Sequence, residues 1–311
     1  MPSRKQNIAI SIGDLNGVGI EIALIAHEEV SKLCNPLYCI NTSMLRQATT
    51  LLNLKFPKNM QLHQVDGEFN IEIGKTTKES GLYSYNSFMS AIELCEDSKA
   101  DAVVTMPIHK EAWMMAGLDY KGHTDLLRKH FNQDAIMMLG CEEMFVALFT
   151  EHIPLKEVAA SIQYVKLKQF FIDLHNSIGD AKVAVLGLNP HAGDNGVLGN
   201  EELRISKAIK SANKKIGFEQ FAGPIVPDVA FTPHFRKNYN YFVAMYHDQG
   251  LAPLKALYFD ESINISLNLP IIRTSVDHGT AFDIAYKGEA KTLSYINAVK
   301  SAISFITPNQ H

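Results

Sequence analysis

Short β-branched or apolar runs at Ile8–Ile12, Ala102–Thr105, Phe145–Phe149, Val183–Leu188 and Tyr241–Met245 alternate with longer stretches in which apolar residues recur at helical spacing. This alternation predicts an α/β fold. The first helix is expected to start near Val18–Ile20 and run to about Lys32, because Ile20, Ala23, Leu24, Ala26 and Val30 fall on one face. Tyr83–Asp97 and Glu201–Ile216 repeat the pattern. In Leu293–Ile306 the apolar stripe is Ile296, Val299, Ile303 and Ile306, and Thr307-Pro308 should end that helix. It is expected to pack back on an earlier sheet.

The chain has 311 residues, more than the roughly 250–300 that one hydrophobic core usually serves, so two lobes are expected. No repeat, low-complexity segment or Pro/Ser-rich linker separates them. Lobes without a linker are often built with the chain crossing between them, leaving a cleft where segments distant in sequence meet around a ligand. A net charge of −4 and a pI near 6.3 exclude a nucleic-acid-binding charge balance. No apolar run approaches the ~18 residues of a membrane span. Arg4 and Lys5 precede an apolar stretch as in a signal peptide, but Asp14, Asn16 and Glu21 interrupt it, so export is not expected. Cys34, Cys39, Cys95 and Cys141 form no CxxC pair and lie in or beside apolar segments. They are expected to be reduced core thiols, which fits a cytoplasmic location.

Polar and ionisable residues cluster with glycine and proline at predicted strand ends: Gly13–Gly19, Gly122–Asp125, Glu151–Pro154, Asn189–Gly193, Tyr246–Gly250 and Arg273–Asp283. Ligands of α/β proteins bind at strand C-termini. The first cluster reads G-x3-G-x-G, not the dinucleotide fingerprint G-x-G-x-x-G. A tight turn with Asn16 or Asp14 near the cap is as good a reading of it as an anion contact at a helix N-terminus.

His152, His191 and His247 each follow a strand-like run, so separate strands would deliver imidazoles to one sheet edge as a divalent-metal set with positions open for substrate. Their long spacing carries no metal motif, and from spacing alone structural or surface roles are the better reading of any one of them. His27, His63, His130, His175, His234 and His311 lack the strand-end setting and read as surface or helix residues. Lys255, Asn264 and Arg273 lie where the chain returns to strand character and would suit a substrate bearing phosphate and carboxylate. Arg273, directly after Leu269-Pro270-Ile271-Ile272, should be held near the interior and need an anionic partner. Thr124 or Asp125 reads as the N-cap of the next helix, with His123 just outside it, near any anion attracted there.

Together MPIHKEAW with YKGHTDLL, EHIPL, GLNPHAGDNGVLGNEE, AMYHDQGLAPLK and INISLNLPIIRTSVDHGTAFDIA, in that order over nearly the whole chain, resemble the 4-hydroxythreonine-4-phosphate dehydrogenase family. These are NAD-dependent enzymes of pyridoxal 5′-phosphate biosynthesis. The resemblance implies metal ligands at His152, His191 and His247, and substrate contacts at His123, Thr124, Lys255, Asn264 and Arg273. It also implies a fold similar to isocitrate and isopropylmalate dehydrogenases: two α/β/α lobes with the chain crossing between them and a cleft at the lobe and homodimer interface. On this chain the lobes would comprise residues 1–121 with 268–311, and 122–267. His278, Gly279, Thr280 and Asp283 fall in a segment similar to the HGxAxDIAxKGxA of those enzymes, beside the adenosine end of NAD. That would explain cofactor binding without the glycine fingerprint. The family's G-E-P-A-G-I-G is here Gly13-Asp-Leu-Asn-Gly-Val-Gly, so no specific contact is assigned to Leu15 or Asn16.

The implied reaction is metal-assisted oxidation of 4-phosphohydroxy-L-threonine at C3 with NAD as acceptor, then decarboxylation to 3-amino-1-hydroxyacetone 1-phosphate. Three histidines favour zinc or cobalt, whereas magnesium prefers oxygen ligands. Asp248, beside His247, is the candidate general base, with Asp228 second. Close relatives acting on threonate or erythronate 4-phosphate or on cyclic diols share these motifs. A metal-dependent phosphate-ester hydrolase or a metabolite-binding protein is the alternative of another class, and HGTAFDIA counts against both.

Overall fold

The computed structural model describes residues 4–57 and 59–306; Thr307-Pro308 and His311 lie outside the described residues. The chain forms two compact units. The first takes the described chain up to Gln133, Ile263–Ile265 and the chain from Leu269; the second takes Asp134–Ser262 and Ser266–Asn268. As expected, the chain leaves one unit and returns to it. The first crossing falls after Gln133 and not at 121/122, because the intervening helix buries Leu126 and Leu127 and sets the His123 ring edge-on against Phe88 and Trp113 of the first unit. The return is no single cut, since one strand, Ile263–Leu267, is divided between the units.

In the first unit the chain runs β1 (Asn7–Ser11), α1 (Gly19–Leu33), β2 (Asn35–Cys39), α2 (Thr42–Leu51), β3 (Gln61–His63), α3 (Lys78–Glu96), β4 (Ala102–Thr105), α4 (Lys110–Met115) and α5 (His123–Phe131). The second unit holds β5 (Ile136–Cys141), β6 (Met144–Leu148), α6 (Leu155–Ser161), α7 (Tyr164–Ile178), β7 (Val183–Leu186), α8 (Glu201–Ile216), β8 (Phe221–Ile225), α9 (Pro227–Ala230), α10 (Pro233–Arg236), β9 (Tyr241–Ala244) and α11 (His247–Tyr258). After β10 (Ile263–Leu267), β11 (Arg273–Val276) and α12 (Leu293–Ile306) complete the first unit.

Strands of the first unit lie in the order β3-β2-β1-β4-β11, all parallel. Ile8, Ala9, Ile10, Val103 and Val104 are fully buried, as parallel strands covered on both faces require. The terminal helix α12 packs on β11 and β4 and against α1, as its apolar stripe predicts. Strands of the second unit lie in the order β5-β6-β9-β7-β8. There β5 and β6 form an antiparallel pair and the rest are parallel. Val146, Leu148, Ala184, Leu186, Phe242, Ala244, Leu251 and Leu254 make its core. Gly250 lets α11 sit directly on β6 and β9: a Cβ there would lie 2.4 Å from Val146 Cγ1 and 2.9 Å from Ala244 Cβ.

Cys34, Cys39 and Cys141 are buried and Cys95 is half-buried, all free thiols as expected. Burial pushes Cys34, Cys95 and Cys141 up to about 12, which keeps them unreactive. His27, read as a surface or helix residue, does lie in α1 but is buried, with Nδ1 3.0 Å from Tyr38 Oη. His63 is half-buried on β3, not on a helix. Among the described residues no helix is long and apolar enough to cross a membrane.

Candidate active site

In the first unit, β4 and β11 run side by side and end in polar residues. Arg273 opens β11 opposite Val103 and is only 2% exposed. Its Nε and Nη2 donate to Thr105 Oγ1 at 3.2 and 2.7 Å. The Thr105 hydroxyl thus anchors the guanidinium from the neighbouring strand. Burial lowers the guanidinium pKa to about 9, which still leaves Arg273 a cation at neutral pH.

His123 was expected just outside a helix capped by Thr124 or Asp125. It is instead the first residue of α5, and Gly122, at φ 147°, is the N-cap. Only glycine adopts that backbone without strain, and Asp125 is occupied in accepting from the Lys121 N–H. The His123 ring lies 4.7 Å from Phe88 and 5.8 Å from Trp113, both edge-on. Desolvation first, then the charges of Arg273 and Lys110, holds its pKa well below the usual value, so the imidazole is neutral. Nε2 of His123 is buried without a hydrogen-bond partner, and so is Oδ1 of Asn264 on β10. Buried polar atoms are normally paired, so these two are available to a group from outside the chain. Thr124 is 8% exposed. A buried cation, a neutral imidazole, a hydroxyl and a carboxamide are groups that recognise an oxyanion. Lys255, on α11 of the second unit, extends its Nζ over the Phe259 ring at 5.3 Å.

The Gly13–Gly19 loop forms a turn at residues 15–18 that leads into α1. Four of its amides donate within the protein: Asp14 N–H to Pro107 O, Asn16 N–H to Asp14 Oδ1, Gly17 N–H to Asp14 O and Val18 N–H to Thr280 O. Gly13, at φ 71°, is required because a Cβ would fall 2.3 Å from Pro107 O. Asp14 is fully buried and also accepts from Ser80 Oγ; desolvation outweighs these bonds and raises its pKa. Asn16, which the sequence left without a role, ties the loop to the 72–77 segment through Glu72 N, Lys75 O and Thr77 Oγ1. Of the proposed cofactor residues, His278, Gly279 and Asp283 are exposed, while Thr280 is buried and meets the loop through its carbonyl.

In the second unit β6 and β9 are parallel neighbours, and their ends are locked by Phe149 N–H to Ala244 O and by Thr150 Oγ1 to Met245 O. This brings His152, beyond β6, and His247, at the start of α11, together with ring centroids 5.4 Å apart. His247 Nδ1 lies 2.7 Å from Asp248 Oδ1, the carboxylate–imidazole pairing that leaves Nε2 for a metal. His191 is exposed in the 3₁₀ turn Pro190–Gly196, where residues 191–195 all have positive φ. Among the described residues no three His, Cys, Asp or Glu side chains are grouped to hold a metal. The histidine pair has the right donor chemistry for a borderline divalent ion, and among the described residues His191 is not grouped with it into a set of three. Asp248 is exposed and engaged with His247, and Asp228 is exposed on α9.

Supporting residues passed unnoticed in the sequence. Glu202 accepts from the Leu188 and Asn189 N–H groups and shapes the turn that carries His191. Gln249 links Met245 N and Gly187 O, tying the start of α11 to the end of β7. The only available signals were an acid in the first turn of α8 and an amide in YHDQG.

The model of the pyridoxal phosphate biosynthetic protein PdxA family matches residues 32–302. The chain belongs to this family. It is 76% identical to the 4-hydroxythreonine-4-phosphate dehydrogenase of Sulfurimonas denitrificans, over 96% of this chain and 98% of that protein. It is 56% identical to the Campylobacter fetus enzyme of the same name, over 95% and 97%. The crystal structure of a 4-hydroxythreonine-4-phosphate dehydrogenase from Burkholderia phymatum superposes with a TM-score of 0.82 at 28% identity, covering 99% of this chain and all of that one. The activity named for these relatives is that of an oxidoreductase of pyridoxal phosphate biosynthesis.

Proposed function

We propose that this chain oxidises 4-phosphohydroxy-L-threonine at C3 with NAD as acceptor, and that the resulting β-keto acid loses carbon dioxide to give 3-amino-1-hydroxyacetone 1-phosphate, in pyridoxal 5′-phosphate biosynthesis. The observation that carries this reading is the buried Arg273 cation beside the neutral His123, whose buried Nε2 makes no hydrogen bond within the chain, in a chain of this family. A guanidinium fixed by Thr105 binds a phosphate or carboxylate through a planar fork, and His123 donates to it without adding a charge that would be lost near neutral pH. Thr124 and Asn264, in the same unit, would supply further polar contacts, and Lys255 is proposed as a substrate contact on the family pattern.

His152, His191 and His247 would hold a divalent ion, zinc, cobalt or magnesium, whose chemistry when bound is Lewis acidity toward an alcohol or enolate oxygen. Asp248 fixes the His247 ring so that Nε2 is the free nitrogen. Asp248, and after it Asp228, is the proposed acceptor of the hydroxyl proton. The segment containing His278, Gly279, Thr280 and Asp283 would receive NAD. His152 and His247 lie together with ring centroids 5.4 Å apart, and the family resemblance is the ground for proposing a homodimer with the site at its interface. Reduced thiols accord with a cytoplasmic enzyme.

The test is product analysis. The chain, with NAD and a divalent ion, is given 4-phosphohydroxy-L-threonine, threonate 4-phosphate or erythronate 4-phosphate, and carbon dioxide and the organic phosphate are identified by mass spectrometry. The amino ketone phosphate, formed with the highest kcat/KM from the first substrate, is expected. A strong preference for a hydroxy acid lacking the amino group would reassign the substrate and leave the reaction class intact.

A further inference from the structure

The segment from His278 to Ala290 has no helix or strand, and Ala281, Tyr286 and Gly288 adopt positive φ. A tyrosine at φ 63° is rare and persists only where its surroundings hold it. Within the segment, the backbone bonds Ile284 N–H to Ala281 O and Lys287 N–H to Ile284 O make only local turns. Its shape is set from outside, by the His109 ring stacked on Phe282 and by hydrogen bonds to the turn and helix that follow β1.

Those ties are spaced along it. Val18 N–H donates to Thr280 O at 3.0 Å, and Gly17 packs so closely on Thr280 that a Cβ would lie 2.7 Å from that oxygen. The Tyr286 hydroxyl donates to Leu15 O at 2.7 Å. Burial pushes its pKa far up, so it remains a neutral donor. Farther on, Ala290 N–H donates to Glu21 Oε1 at 3.1 Å. Glu21 is fully buried in the first turn of α1, its Oε2 without a partner, a costly placement that the helix N-terminus partly offsets.

The geometry points to Tyr286 and Glu21 as positioning residues of the cofactor subsite: from the N-terminal turn and helix they hold the 278–290 segment in its binding shape, without touching the cofactor. This rests on the reading that NAD binds at His278–Asp283. It also gives the glycine-bearing N-terminal loop a task, as a brace on the cofactor segment. A preorganised binding loop spares the ligand the entropy of ordering it, so loosening a tie is read as lost cofactor affinity with substrate affinity unchanged.

The experiment titrates NADH into the folded chain by NADH fluorescence, without substrate. It also compares KM for NAD with KM for the phosphorylated substrate, and thermal unfolding, across Tyr286→Phe, Glu21→Ala, Glu21→Gln and Asp283→Ala. Tyr286→Phe, which deletes one hydroxyl, should weaken NADH binding roughly 3- to 10-fold, the range of one hydrogen bond. KM for NAD should rise in parallel, with substrate KM and the unfolding midpoint nearly unchanged. Glu21→Ala should act the same way, and Glu21→Gln, which keeps an oxygen for Ala290 N–H, should recover most of the loss. If Glu21→Ala does not fold, Tyr286→Phe decides alone. Unchanged NADH binding in folded Tyr286→Phe, or equal losses for cofactor and substrate, overturns the inference while the cofactor reading stands. Unchanged binding in Asp283→Ala, the variant at a direct cofactor position, overturns the cofactor reading and the inference with it.

Discussion

Arg273 and His123 illustrate how burial assigns chemistry to single residues. The guanidinium stays charged because its basicity is high enough to survive a large desolvation loss, whereas the imidazole beside it, far less basic, cannot. Replacing Arg273 with Gln should raise substrate KM about 30-fold or more, from the ~2–5 kcal/mol carried by one partner of a buried charge pair; steady-state kinetics reads this. His123 also links folding to pH. Its folded pKa lies below its unfolded value of about 6.5, so the unfolded chain binds more protons on acidification, and the contribution of His123 to stability falls as pH drops below about 6.5. Denaturant unfolding across that range should therefore show a steeper loss in the wild-type chain than in His123→Gln. Arg273 was visible in the sequence as a cation next to an apolar run. The Thr105 hydroxyl that anchors it lies 168 positions away and gave no signal.

The helices and strands were largely legible, because an apolar period is a local property and burial simply reads it. Ala102–Thr105, Glu201–Ile216, Ile263–Leu267 and Leu293–Ile306 fall where the pattern predicts. The start of α5 did not, because a glycine at φ 147° took the cap from Thr124 and Asp125. The turn after β7 was equally hidden: its run of left-handed residues depends on Glu202, which arrives only with the next helix. Gly250, in a cluster read as chemical, is a packing residue that seats α11. Gly250→Ala should cost about 1–3 kcal/mol through overpacking against Val146 and Ala244, measured as a lower denaturation midpoint, with His247 displaced in consequence and metal affinity reduced.

For the whole molecule, length alone called for two lobes, and the absence of a linker for a chain that returns to the first. The exact crossing escaped because α5 packs by its side chains with residues far earlier in the sequence, which composition does not register. The candidate site was legible as residue types at strand ends, and the bonds that hold it were not, since Tyr286 to Leu15 and Ala290 to Glu21 join the two ends of the chain. A homodimer should appear in sedimentation at micromolar protein. The reading as a whole is tested most directly by NADH formation from 4-phosphohydroxy-L-threonine, followed by absorbance in the metal-replete chain, after chelation, and with zinc, cobalt or magnesium restored. NAD reduction that disappears on chelation and returns with a divalent ion is the predicted result. No NADH from this substrate or from any related four-carbon phosphate, under any metal, would contradict it.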